Sequence, residues 1–331
     1  MNETALFHGV YPVVPVPLQK DESLDLRGFV HLVDYYIREG CHGLLVLGSG
    51  GESPYFTIDE KVDILKTASE RVQKRIPVIA GCTFVSLAET VQFIKSTQSI
   101  DIDGYLVALP TYYPLAFEDV YAFYSRIVQL THKKILYYHF PQITGLSFTP
   151  GEMERLYTIS GIDGAKESSI CLREIKQHLK CVSGRPFSLF SGASQLLLAT
   201  LKSGGSGTMC SIPSVAPRLV VECYNSWISG DKNRAQQYED EIFTHIGLMN
   251  NFGIPASIQR KGFKLISRLP FRTGVGRNPR QAVFKETLRQ LGHPITATVR
   301  SPLPQISDKD RAGVAALIKK SKFLSCKHCA L

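Results

Sequence analysis

The sequence lacks any apolar run long enough to cross a bilayer, which takes ~20 residues. Its opening residues, "MNETALFHGVYPVVP", lack a basic region followed by an apolar one and are not arginine-rich. They read as neither a secretory leader nor a transit peptide, so a cytoplasmic location is expected. Cysteines in metal-binding pairs are also missing. Of eight (Cys41, Cys82, Cys171, Cys181, Cys210, Cys223, Cys326 and Cys329), only Cys326 and Cys329 form a C-x-x-C. No second pair stands at zinc-finger spacing, so that tail is read as solvated and the cysteines as reduced thiols. Cys329 is third from the end, which does not fit a prenylation box.

Net charge is +9, but a clustered basic surface is absent. The densest group is Lys319, Lys320, Lys322 and Lys327, and nothing interleaves aromatic with basic residues. Nucleic acid is therefore not an expected partner, and the charge suits anionic small substrates or solubility. No His/Asp/Glu set has ligand spacing, so no metal is expected. Ser49 and Ser191 lack a His–Asp partnership, which argues against a hydrolase triad. The first strand is followed by "PLQKDES" rather than a glycine-rich phosphate loop, which argues against a doubly wound nucleotide-binding sheet.

What is present is an ordinary globular balance, 44% hydrophobic and 20% charged over 331 residues, with ample length for a core. Short β-rich runs alternate with amphipathic ones. Strands are predicted at Val10–Val16, Gly43–Leu47, Pro77–Ala80, Gly104–Leu109, Ile135–His139, Gly161–Lys166, Phe187–Phe190 and Gly207–Cys210. Helices are predicted at Leu26–Glu39, Thr57–Arg71, Ser86–Ser96, Phe117–Leu130, Pro150–Ile159, Ser169–Lys180, Ser194–Lys202 and Ala216–Ser229. Thr57 with Glu60 reads as a capping box, and Thr149 as a cap before Pro150. The strands are apolar at most positions, as parallel strands covered by helices are. Eight such units make an α/β (β/α)8 TIM barrel. The predicted division is a barrel over residues 1–229 and a C-terminal helical extension over 230–331, packed on it. The extension carries helices at Asp231–Phe252, Ser257–Ser267, Pro279–Leu291 and Asp308–Phe323.

Barrel chemistry sits at the C-terminal strand ends. Lys166 ends strand six. If it points inward, so do Gly164 and Ile162, and Gly164 leaves space for its stem. Partial desolvation there favours the neutral, nucleophilic amine. Tyr137 or Tyr138 could pass protons, and periodicity leaves both open. The loop Gly48-Ser49-Gly50-Gly51 can turn backbone N–H groups toward a carboxylate. Together these fit a 2-oxo acid that forms a Schiff base. The plainer readings are a solvated strand-end lysine, a packed tyrosine pair and a simple turn.

Four ordered motifs bear on that choice. "GSGGES", "LPTYYP", "LYYHFPQITG" and "GAKESS" resemble the loop, Tyr-Tyr, Tyr-x-x-Pro and Schiff-base segments of the dihydrodipicolinate synthase and N-acetylneuraminate lyase family of class I aldolases. The likeness runs over roughly residues 8 to 305. It implies that Lys166 forms the imine, and that Tyr138, selected by its distance to Pro141, shuttles the substrate proton. Ser49 and Tyr112 would complete a hydroxyl relay. Backbone N–H groups of Ser49 and Gly50 would hold the carboxylate of a small-molecule 2-oxo acid, and Ile212 would lie beside it. No cofactor is implied. In several family members the equivalent of Tyr112 reaches in from a neighbouring subunit, which implies a homodimer or homotetramer.

Departures narrow the substrate. Dihydrodipicolinate synthases place an arginine where Ile143 stands, and sialic acid lyases carry an acidic pair where "SGASQ" has none. "GSGGE", "PTYY" and "NFGIPA" look most similar to the 4-hydroxy-2-oxoglutarate aldolase branch. The expectation is a lyase giving pyruvate and an aldehyde from a 4-hydroxy-2-oxo acid, either that one or a 2-keto-3-deoxy sugar acid. The alternatives are a dihydrodipicolinate synthase and a non-catalytic relative that binds a 2-oxo acid.

Overall fold

A computed structural model describes residues 6–110, 112–249, 255–268 and 280–324. Thr111, most of "NFGIPA", and Cys326, Lys327 and Cys329 lie outside these residues.

Eight strands form one parallel sheet. They are β1 (Gly9–Pro12), β2 (Leu44–Val46), β3 (Val78–Cys82), β4 (Gly104–Val107), β5 (Lys134–His139), β6 (Ile162–Glu167), β7 (Ser188–Ser191) and β8 (Gly207–Cys210). Each pairs with its sequence neighbour, and β1 pairs with β8. The ring closes between β1 and β2 through a single parallel bridge, Val13 to Leu45, with the Val14 amide donating to the Leu45 carbonyl at 3.0 Å.

The helices of the barrel are α1 (Leu26–Arg38), α2 (Ile58–Val72), α3 (Leu87–Thr97), α4 (Phe117–Val128), α5 (Pro141–Thr144), α6 (Pro150–Tyr157), α7 (Leu172–Cys181), α8 (Leu197–Lys202) and α9 (Pro217–Ile228). The (β/α)8 barrel is therefore the fold, and its strands match the predicted ones to within a few residues. Beyond it lie α10 (Lys232–Thr244), α11 (Ala256–Ile266), α12 (Gln281–Gln290) and α13 (Asp308–Lys320). The predicted helix over 231–252 breaks at His245, where a 3-10 turn over Ile246–Leu248 follows. The single turn α5 escaped prediction because four residues are too few for periodicity.

Local chemistry starts the helices. The Thr57 hydroxyl accepts from the Glu60 amide at 3.2 Å, and the Glu60 carboxylate accepts from the Thr57 amide at 2.9 Å. Thr149 and Glu152 repeat the arrangement around Pro150. Each cap satisfies donors that a helix start leaves open, contributing ~1 kcal/mol.

The core has two layers. Inside the barrel, Tyr11, Leu45, Ile79, Leu106, Leu136 and Phe190 pack together with Tyr138. Between sheet and helices lies a larger layer that includes Tyr105, Tyr124, Tyr137 and Tyr157. Strand alternation sorts residues between them. On β5, Leu136 and Tyr138 join the inner layer, and Ile135 and Tyr137 the outer one. That settles the tyrosine ambiguity on geometry: Tyr138 is the inward one.

Alternation fails at one place. The β5–β6 register shifts so that Ile135 pairs with Ile162 but Leu136 pairs with Gly164. The extra residue sends Ile162 into the outer layer rather than the barrel, correcting the expectation that it shares Lys166's face. Gly164 has a different reason from the one expected. A Cβ there would stand 2.6 Å from the Ser188 carbonyl oxygen of β7, so glycine permits strand approach rather than making room for the lysine stem.

Among the described residues, six cysteines are free thiols: Cys41, Cys82, Cys171, Cys181, Cys210 and Cys223. Among them, too, no helix is long and apolar enough to cross a membrane.

Candidate active site

Two adjacent strands place the central pair. Tyr138 of β5 and Lys166 of β6 are register partners, and both lie near the C-terminal ends of their strands. The Lys166 Nζ sits 4.6 Å from the centre of the Tyr138 ring. Lys166 is only 4% exposed, so the solvated strand-end reading does not hold. The amine lies at a cavity of about 360 Å³. Among its described lining residues, Lys166 and Arg280 are cationic and none is a carboxylate. Ser49, Ser168 and Ser211 add hydroxyls, and Phe140, Ile143 and Phe284 add apolar surface. An anionic, partly apolar small molecule suits these walls.

The Ser49 hydroxyl lies 3.4 Å from the Tyr138 hydroxyl. That is longer than the usual O–H···O distance, and such contacts tighten when substrate binds. Ser49 opens a 3-10 turn, Ser49–Gly51. The Gly51 amide donates to Gly48 and the Glu52 amide to Ser49. The Ser49 and Gly50 amides have no acceptor among the described residues, which leaves them available to an anion. A Cβ at Gly50 would stand 3.0 Å from the Ser211 Oγ and 3.1 Å from the Val13 Cγ1, so a side chain there would crowd the cavity wall.

Two other expected residues stand apart. The Ile212 side chain packs into the outer core. Just before it, Cys210 at the end of β8 and Ser211 line the cavity instead. A 3-10 turn over Ile212–Ser214 swings Ile212 away. Tyr112 is 78% exposed and touches Tyr113 edge-on at 4.9 Å. Within one chain it does not join the Ser49–Tyr138 pair.

Sequence reasoning missed the support behind the loop. Glu52 is fully buried in a left-handed conformation, φ 62°. Its carboxylate meets the Lys285 Nζ of α12 at 2.5 Å and accepts from the Arg300 amide at 2.8 Å. The Gln281 side-chain amide donates to the Ser49 carbonyl at 3.1 Å. Burial pulls the Lys285 ammonium below its ordinary range, while Glu52 opposes that shift. Helix α12 and the segment after it therefore hold the loop that carries Ser49. The glutamate in "GSGGES" was the only available signal, because its partners lie more than 230 residues away.

Sequence reasoning also missed a buried group on the outer side of β5 and β6. His139, Glu167, Glu174 and His178 each offer one ligand atom, and these atoms lie within 4.8 Å of one another. No spacing in the chain pointed to them as a set, since they come from three elements. Glu174 and His178, four apart on α7, were the one local hint.

Comparison with known proteins agrees with this geometry. The dihydrodipicolinate synthetase family pattern matches residues 6–261. A 4-hydroxy-tetrahydrodipicolinate synthase of Gluconacetobacter diazotrophicus is 30% identical over 240 residues, 72% of this chain and 81% of that protein. YagE of Escherichia coli K12, named a putative 2-dehydro-3-deoxy-D-gluconate aldolase, is 26% identical over 326 residues, 98% of this chain and 100% of that one. The crystal structure of YagE in complex with pyruvate has a TM-score of 0.85 at 24% identity, covering 96% of this chain and all of that one. The dihydrodipicolinate synthase of Thermotoga maritima has a TM-score of 0.80 at 26% identity, covering 95% and 98%. With its barrel, its inward lysine and the family pattern spanning most of its length, the chain belongs to the dihydrodipicolinate synthetase family and is a carbon–carbon lyase of it.

Proposed function

We propose that the protein is a Schiff-base aldolase that reversibly converts a 4-hydroxy-2-oxo acid into pyruvate and an aldehyde. The observation that carries this is the Lys166 amine, buried against the Tyr138 ring at a cavity lined by cations and hydroxyls.

The Lys166 nitrogen attacks the C2 carbonyl, and loss of water leaves an iminium. Its positive nitrogen is the electron sink. The 4-hydroxyl proton passes to the Tyr138 oxygen, which releases its own proton to the Ser49 hydroxyl as that hydroxyl gives up its proton to water. The C3–C4 bond breaks, its electron pair forms the enamine, and the aldehyde leaves. Protonation at C3 and hydrolysis of the imine free pyruvate and restore the amine. The Ser49 and Gly50 amides hold the substrate carboxylate throughout, stabilising it as backbone donors do.

Two observations favour a hydroxy-oxo acid over the synthase reaction. Ile143, at the cavity and 58% exposed, offers no charge to a second carboxylate. One of the relatives that span nearly the whole chain, matched over 98% of it, is named a putative aldolase of a deoxy sugar acid. The synthase reading is kept as the second one because several relatives carry that name. We also infer a homodimer or homotetramer in which Tyr112 enters a neighbouring site. The neighbouring exposed rings of Tyr112 and Tyr113, 78% and 73%, support this.

The direct test is borohydride reduction with pyruvate, followed by peptide mass spectrometry. A pyruvyl adduct on Lys166 is expected, and a folded protein with no adduct there overturns the mechanism. Pyruvate release from 4-hydroxy-2-oxoglutarate and 2-keto-3-deoxy sugar acids then fixes the aldehyde half. Turnover in the synthase direction alone would select the second reading.

A further inference from the structure

The buried group behind Lys166 is built like a metal centre. His139 of β5 and Glu167 of β6 are register partners, each next in sequence to an active-site residue but on the opposite face of its strand. Glu174 and His178 approach from α7. The His178 Nε2 stands 2.8 Å from the Glu167 Oε2. The His139 Nε2 stands 3.6 Å from that same oxygen and 3.9 Å from the Glu174 Oε2. A tetrahedral ion with bonds of ~2.0–2.1 Å has ligand–ligand edges of ~3.3 Å, and the observed separations straddle that value.

The surroundings orient the ligands. The His139 Nδ1 lies 2.9 Å from the Tyr137 hydroxyl, and the His178 Nδ1 is hydrogen-bonded to the Tyr157 hydroxyl. When each Nδ1–H donates to its tyrosine oxygen, both Nε2 lone pairs face the carboxylates. This is the outer-sphere pattern of metal-bound histidine. The other Glu167 oxygen accepts from the Ser169 amide, which turns Oε2 inward. Both imidazoles are fully buried, Glu167 is 2% exposed and Glu174 is 6% exposed.

We propose that His139, Glu167, Glu174 and His178 bind one divalent first-row metal ion of zinc type. The donor set, two imidazoles and two carboxylates, suits Zn²⁺ and its first-row neighbours. All four positions are filled by protein and the group is closed to solvent, so the ion is structural rather than catalytic. It fastens α7 to the ends of β5 and β6, and so holds the two strands that present Tyr138 and Lys166. The proposal is independent of the aldolase reading.

The test is metal content. The full chain, produced without a polyhistidine tag in zinc-supplemented medium, is passed through chelator and analysed by plasma mass spectrometry. About one zinc per chain is expected, falling to background in Glu174→Gln and His178→Gln. Growth in cobalt medium should give a protein with visible absorption bands of tetrahedral Co²⁺, a readout that needs no variant to fold. A wild-type protein with only background metal from both media and no cobalt bands overturns the site. The four groups would then be a proton-sharing network.

Discussion

The two faces of the β5–β6 pair differ by one residue in sequence and by everything in environment. Tyr138 and Lys166 face inward to a cavity, while His139 and Glu167, the next residues along, face outward into the sealed sheet–helix layer. The inner pair meets hydroxyls, cations and open volume, so its groups can bind and react. The outer pair meets Glu174 and His178 of α7 in a buried layer, where its groups face one another rather than solvent. Alternation alone therefore sends neighbouring residues of a strand end to an open cavity and to a sealed layer.

The comparison breaks most sharply at the inner face. Lys166→Met should abolish the borohydride-trapped adduct and lower turnover on the order of 10⁴-fold or more, with the circular dichroism spectrum retained. An adduct that persists would move the nucleophile elsewhere. Tyr138→Phe should still trap pyruvate, because the Lys166 amine is retained and water can supply the protons that carbinolamine dehydration needs. Its turnover should fall by ~10²–10⁴, as measured by pyruvate release, and unchanged turnover would remove Tyr138 from the proton path.

The inner face also depends on the extension, and that dependence is open to measurement. Lys285→Met strands the buried Glu52 carboxylate and should cost ~3–5 kcal/mol in urea unfolding. The double variant Glu52→Gln with Lys285→Met should recover part of that loss, because no uncompensated charge remains. Equal losses in single and double variants would deny the coupling.

At the outer face, Tyr157→Phe removes the hydroxyl at the His178 Nδ1 and leaves a buried polar atom without its partner. A loss of ~1–3 kcal/mol is expected, with pyruvate trapping at Lys166 unchanged. Loss of trapping with stability intact would mean the two faces are not separate in function.

The smallest effect is set by pH, away from both faces. Burial lowers the His293 imidazole from 6.5 to about 4, with His31 and Arg38 adding to the shift. Between those values the unfolded chain takes up a proton that the folded chain refuses. Stability is therefore full above about 6.5 and falls as pH drops toward about 4. The melting temperature of His293→Gln should decline less over that window than that of the unaltered protein.

Some of this was legible in the sequence. The barrel was, because eight β-α units repeat in order and each is specified locally by caps and apolar runs. The motifs singled out Lys166, Tyr138 and Ser49, and all three line one cavity. The direction of the Ile212 side chain, into the outer core, was not legible because a 3-10 turn has no alternation to follow. Ile162 was turned the wrong way because a register shift depends on the partner strand.

Order along the chain thus determined the barrel and turned Lys166 toward its cavity, since both follow from contacts among near neighbours and from strand parity. The tertiary structure alone decided what stands behind them. Glu52 found Lys285 across 233 positions, and four titratable groups from three elements met beneath α7. Such pairings arise only when closure of the ring brings remote side chains into one dry volume, where charge has to be matched.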